Sequence, residues 1–204
     1  MAYIQNTAFE LKVSNHEFDS TANITGIFGA VADGTFTPAV CSAGFLCTKN
    51  ALTQNEGYPQ GVLNGNTWQM VAATSAAVLG TGIYAANPFN VNMIADPVTG
   101  AKYKVGHNTL GLPIPEGERD TFTRIDFLPG DRHYRFGIGN VAGELGENGF
   151  LTIDAGKLKP AAAAPTTAGA LYFKVLGTGT FTQGANAAFG YVDVEAHVNV
   201  VAAG

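Results

Sequence analysis

The segment Tyr191-Val-Asp-Val-Glu-Ala-His-Val-Asn-Val-Val201 alternates apolar and polar side chains without a break. A β-strand turns successive side chains to opposite faces, whereas a helix would scatter the same pattern around its circumference. Val192, Val194, Ala196, Val198 and Val200 therefore share one face and are candidate core, and Tyr191, Asp193, Glu195, His197 and Asn199 share the other. That division is what a half-buried antiparallel strand presents to core and water.

The same rhythm recurs in Phe9-Glu-Leu-Lys-Val13, Lys102-Tyr-Lys-Val105, Phe122-Thr-Arg-Ile-Asp-Phe127, His133-Tyr-Arg-Phe-Gly-Ile138 and Leu171-Tyr-Phe-Lys-Val-Leu176. Turn signals separate these runs: Asp33-Gly34, Asn64-Gly65-Asn66, Pro97 to Gly100, Pro129-Gly130-Asp131 and Glu147-Asn148-Gly149. Each supplies a residue that adopts positive φ or presets a turn. Helix has little room, because the 26 glycines are scattered and each costs a helix interior about 1 kcal/mol relative to Ala. The stretch around Trp68 to Leu79 reads as a strand followed by small residues or, at most, as one short helix. The expected fold is all-β, an antiparallel β-sandwich or β-barrel with long loops.

The 204 residues suffice for one β domain or two small β subdomains. If there are two, residues 1–115 form an amino-terminal β region with an extended arm and loops, and residues 116–204 a carboxyl-terminal barrel or sandwich. Lys157 to Gly169 and Asn50 to Asn66 read as exposed loops. A short echo links Phe28 through Gly34-Thr-Phe-Thr37 to Phe173 through Gly179-Thr-Phe-Thr182.

A net charge of -5 with only 13% charged residues excludes a nucleic-acid backbone as partner, since phosphate binding needs an excess of clustered Lys and Arg. The start Met1-Ala-Tyr-Ile-Gln-Asn-Thr7 lacks a basic region followed by an apolar one. No window approaches the about 18 apolar residues of a membrane span. A mature, unexported chain with no membrane partner is expected. Cys41 and Cys47 have neither redox nor zinc-ligand spacing and read as buried thiols, with a local disulfide as the alternative.

Candidate chemistry is sparse. Gly137-Ile-Gly139-Asn-Val-Ala142 with the later Asp154 imitates a dinucleotide fingerprint. The helix that should receive the pyrophosphate is interrupted by Gly139, Gly143, Gly146 and Gly149, so no cofactor is assigned. His133 near Asp131, and His197 two residues from Glu195, each lack the further ligands a metal needs. Nucleophile-elbow, phosphate-loop and zinc-helix motifs are absent. No catalytic residue is assigned, and the chain is read as a non-enzyme.

All four arginines, Arg119, Arg124, Arg132 and Arg135, fall between Glu116 and Arg135, interleaved with Glu116, Glu118, Asp120, Asp126 and Asp131. The cluster reads either as a solvated, salt-bridged edge or as a partner-binding patch, because Arg is favoured in interfaces and its fork suits carboxylates. The rings of Trp68, Tyr84, Phe89, Tyr134, Tyr172 and Tyr191 could pack a core or offer a platform for sugars. A surface so poor in charge suits sugar binding and burial in an assembly alike.

In its Met-Ala-Tyr-Ile-Gln start, its Ala, Gly and Thr richness, and phrases such as Gly34-Thr-Phe-Thr-Pro-Ala-Val40, Gly111-Leu-Pro-Ile-Pro115 and Leu128-Pro-Gly-Asp131, the chain resembles small virion structural proteins of tailed bacteriophages, particularly head decoration or cement proteins. The resemblance implies a β-barrel or sandwich that binds the major capsid protein and copies of itself. It implies no catalysis and no cofactor, and a place on the capsid surface after synthesis in the host cytoplasm. A tail-tube subunit and a carbohydrate- or receptor-binding β module are the alternatives.

Overall fold

The computed structural model of the chain describes residues 9–14, 23–52, 67–74, 82–87, 93–95, 102–104, 113–125, 132–145, 149–183 and 187–199. They form fourteen strands: β1 (Phe9–Ser14), β2 (Asn23–Ala32), β3 (Thr35–Pro38), β4 (Leu46–Leu52), β5 (Thr67–Ala72), β6 (Ile83–Ala86), β7 (Met93–Ala95), β8 (Lys102–Lys104), β9 (Asp120–Arg124), β10 (Arg132–Gly137), β11 (Phe150–Asp154), β12 (Lys157–Ala161), β13 (Leu171–Gln183) and β14 (Ala187–Val198). Among the described residues the helical element is a single 3-10 turn, Ile138–Asn140. The fold is all-β.

Five strands close into a barrel in the order β2-β5-β4-β6-β9, with β9 returning to pair with β2. The β2–β5 pair is parallel and the other pairs are antiparallel. The second sheet has six strands in the order β1-β10-β14-β13-β11-β12. Residue 115 does not separate the two sheets. β9 closes the barrel from the carboxyl-terminal side of that position, and β1 joins the second sheet from the amino-terminal side.

The sheet lies against one wall of the barrel, and the wall strands alternate between two dry environments. Leu46, Ile83, Ala85 and Ile125 face the core shared with the sheet, while Cys47, Tyr84, Ala86 and Phe122 face the barrel lumen. All four residues of β6 are buried. A strand dry on both faces reads as an unbroken apolar run rather than an alternation, so Ile83-Tyr-Ala-Ala86 carries no period-two signal.

From the sheet, the shared core receives Tyr134 and Phe136 of β10, Leu171 and Phe173 of β13, and Val192, Val194, Ala196 and Val198 of β14. The four β14 residues are those the alternation assigned inward, and Val200 lies outside the described residues. Phe136 and Phe173 meet edge to face at 6.3 Å between ring centres. Each large side chain fully buried in this way contributes about 1.5–3 kcal/mol by leaving water.

The joint between barrel and sheet is a hairpin turn. β11 and β12 connect through Ala155 and Gly156, both at positive φ (44° and 79°), the signature of the tight turn whose twist matches its strands. The Gly156 N–H donates to the Ala73 carbonyl and its carbonyl accepts from the Leu46 N–H, both at 2.8 Å. The turn is thereby bonded to the barrel strands beneath it.

One alternative is decided and one expectation changes. Thr67–Ala72 takes the strand reading, as β5, rather than the short helix, and it pairs with β2 and β4 on either side. Lys157–Ala161 is an edge strand rather than a loop. Leu158 is buried between two exposed lysines, and an edge position tolerates Pro160 because its missing N–H faces no neighbour.

Candidate interaction surface

The polar face of β14 is continuous with those of its neighbours. His133 and Arg135 of β10, Tyr191, Asp193, Glu195 and His197 of β14, and Tyr172 of β13 are all half-buried along it. Arg135 lies opposite Asp193 in register. It donates from Nε and Nη2 to the two carboxylate oxygens at 2.6 and 2.7 Å, a bidentate fork that is among the stronger side-chain pairings. The guanidinium also stacks 3.7 Å from the centre of the Tyr191 ring. Tyr191 in turn leans across Gly179 on β13, where a Cβ would come within 2.4 Å of the phenol oxygen. Gly179 is required there by close approach.

Beside this group, Phe150, Tyr172 and His197 form a row across β11, β13 and β14. Phe150 and Tyr172 lie 6.1 Å apart, and Tyr172 stacks on His197 at 5.3 Å with 19° between planes. His197 Nε2 lies 3.1 Å from Glu195 Oε2. The pairing of His197 with Glu195 seen in the sequence is thus a contact. Among the described residues no three His, Cys, Asp or Glu side chains converge to hold a metal.

The arginine cluster divides between the two sheets. Arg119 is exposed just before β9, and Arg124 is half-buried on β9, opposite Tyr84 of β6. Arg132 and Arg135 belong to β10 of the second sheet. The side chain of Arg132 lies outside the described residues, as do Asp126 and Asp131. The chain crosses from barrel to sheet between Arg124 and Arg132, so the four arginines are carried by different elements.

Trp68 is half-buried against the lumen cluster. The Lys49 ammonium stands 4.5 Å from its ring centre and 5.2 Å from that of Tyr84, a cation–π contact with both rings. Cys41 and Cys47 are free thiols buried in the lumen. Burial pushes the Cys47 thiol up, and hydrogen bonding and charge interaction with Cys41 push it further. The glycine-rich run from Gly137 enters the 3-10 turn and then Val141, which bridges to Leu158.

Two hairpins extend beyond their sheets. Gly29 to Ala32 pair with β3 alone, past the positions where β2 meets β5 and β9. This hairpin exposes Val31 at 45%, and Val40 follows it at 57%. The second and longer ribbon is the distal part of β13 and β14. A register shift between Val175 and Gly177 leaves Leu176 exposed at 45%, and from there to Gln183 β13 pairs only with β14. The sequence carries its own signal for this ribbon: from Leu176 to Val192 there is no Asp, Glu, Lys or Arg. The echoed Gly-Thr-Phe-Thr phrases occupy both hairpins in different roles, since Gly34 turns the chain at φ 75° and Gly179 is an extended strand residue opposite Tyr191.

Among the described residues no helix is long and apolar enough to cross a membrane. No family model, no curated protein and no solved structure matches the chain.

Proposed function

We propose that this chain is a non-enzymatic virion structural protein that decorates and reinforces a bacteriophage head by binding the major capsid protein. The observation that carries the reading is the barrel's projecting β2–β3 hairpin. Val31 stands in solvent on it and Val40 in the segment that follows it, and Asp33 is the one charge between Asn23 and Thr48. Exposed apolar surface rimmed by uncharged polar groups marks a site that another protein covers. Cementing a shell needs area rather than chemistry, and many identical copies make modest contacts collectively strong.

The test is cosedimentation of the chain with assembled shells of the major capsid protein encoded nearest to it. Wild type binds at saturable stoichiometry, and a Val31→Asp, Val40→Asp variant binds at least about tenfold more weakly, a loss of about 1.4 kcal/mol or more. Failure of the wild type to bind, or equal binding by the variant, would sink the reading. A second reading, a carbohydrate- or receptor-binding module, is favoured by the Phe150–Tyr172–His197 row. It predicts glycan-array signals that Tyr172→Ala abolishes.

A further inference from the structure

The sheet edges of this protein are treated unequally. An exposed edge offers unpaired N–H and C=O groups to any passing strand, and natural proteins blunt such edges with lysine, proline, bulges or full closure. The barrel is closed and has no edge of its own. β12, at one border of the second sheet, carries Lys157, Lys159 and Pro160. β1, at the other border, carries Glu10 and Lys12 and a register shift between Leu11 and Val13. β3 ends on Pro38, and β8 carries Lys102 and Lys104.

The ribbon formed by Leu176–Gln183 and Ala187–Gly190 has one such device, the register shift at Leu176 where it begins, and none beyond it. Its sequence holds no charged residue and no proline. β11 leaves β13 at Lys174 and β10 leaves β14 at Tyr191, so among the described residues no third strand borders it. Eight residues of open β13 edge span about 26 Å at the usual rise per residue.

We infer that this ribbon is a strand-pairing arm whose partner is the same arm of a second copy, β13 against β13 about a two-fold axis. Charge favours this occupant. Each copy carries -5, so two copies repel wherever their charged faces meet, and the arm is a long edge along which identical surfaces meet without like charges. Its alternation of Gly177, Thr178, Gly179 and Thr180 suits an isologous contact, because Thr–Thr neighbours across strands are favourable and glycine lets backbones approach. The contact joins two ribbons into one four-stranded sheet and leaves the β2–β3 hairpin of each copy free.

Sedimentation equilibrium of the full chain from micromolar to millimolar concentration tests this. Wild type follows a monomer–dimer equilibrium, and Thr180→Lys weakens it by at least about tenfold, because an edge lysine is the device that β12 and β8 use. Thr180 is exposed, so the variant keeps the wild-type circular dichroism and melting temperature. Mixing Thr180→Lys with Thr180→Glu restores dimers that neither variant forms alone. A wild type that stays monomeric, open-ended polymers or tubes, or a Thr180→Lys chain that dimerises normally each overturns the proposal. Shell binding by the hairpin reports separately, so loss of one property does not imply loss of the other.

Discussion

Gly156→Ala probes the joint between barrel and sheet, and Gly34→Ala is its matched control. Both glycines sit in two-residue hairpin turns at nearly equal φ, 79° and 75°, so each substitution forces an alanine into left-handed backbone at a cost of about 1–2 kcal/mol. Their surroundings differ. A Cβ at Gly34 meets nothing within 4 Å, whereas one at Gly156 would lie 2.2 Å from Cε1 and Cζ of Phe45. Phe45 is held edge-on against Phe28 at 5.2 Å, and its carbonyl accepts from the Ala86 N–H. Relieving the overlap therefore displaces a packed ring or lifts the turn from its bonds to Ala73 and Leu46. Overpacking of this kind costs about 1–3 kcal/mol.

Gly156→Ala should then destabilise by about 2–5 kcal/mol in total and Gly34→Ala by about 1–2 kcal/mol. For a domain whose whole stability is typically about 5–15 kcal/mol, that gap is readily measured. Urea unfolding followed by Trp68 fluorescence gives both midpoints, and m should be unchanged if the variants differ only in stability. Equal losses for the two variants would refute the reasoning, because they would mean that the β11–β12 turn does not rest on Phe45.

Three further outcomes follow from particular contacts. Ala155 also has positive φ, 44°, where Asn is far better tolerated than Ala; Ala155→Asn should raise stability by about 0.5–1 kcal/mol in the same urea assay. The Cys47 thiol is raised by burial and by Cys41, so the unfolded chain gives up that proton at lower pH than the folded one. Stability is then full below about pH 8.5 and falls above it by up to about 1.4 kcal/mol per pH unit, and Cys47→Ala should flatten that decline. A double-mutant cycle on Arg135→Ala and Asp193→Ala should give a coupling of about 1 kcal/mol, shrinking in high salt, because the fork is bidentate but partly solvated.

The fold class was legible because the second sheet has one dry and one wet face. Val192, Val194, Ala196 and Val198 announced themselves by alternation, and so did the strand that holds Tyr134 and Phe136. The barrel wall was not legible in that way. Ile83–Ala86 is buried on both sides, so its pattern has no polar phase to reveal a strand, and Thr67–Ala72 sits among residues that favour helix equally well. Tertiary pairing with β2 and β4 decided its state. The Lys157–Ala161 edge was hidden by a proline that breaks central strands and is harmless at a border.

The interaction surface was legible in part. The outward face of β14 and the His197–Glu195 pair could be read from spacing. The pairing of Arg135 with Asp193 joins residues 58 positions apart and depends on the register between β10 and β14, which local sequence does not encode. The ribbon beyond Leu176 shows in sequence only as a charge-free run. That such a run lies at an open edge, rather than inside a core, emerges from the points at which β10 and β11 stop pairing.

The proposal of capsid decoration is tested most directly by electron cryomicroscopy of shells of the neighbouring major capsid protein incubated with the chain. The account predicts ordered density at equivalent lattice positions, into which the five-stranded barrel and its six-stranded sheet fit with the Val31 hairpin against the shell. Bare shells, with the chain left in solution, would contradict it.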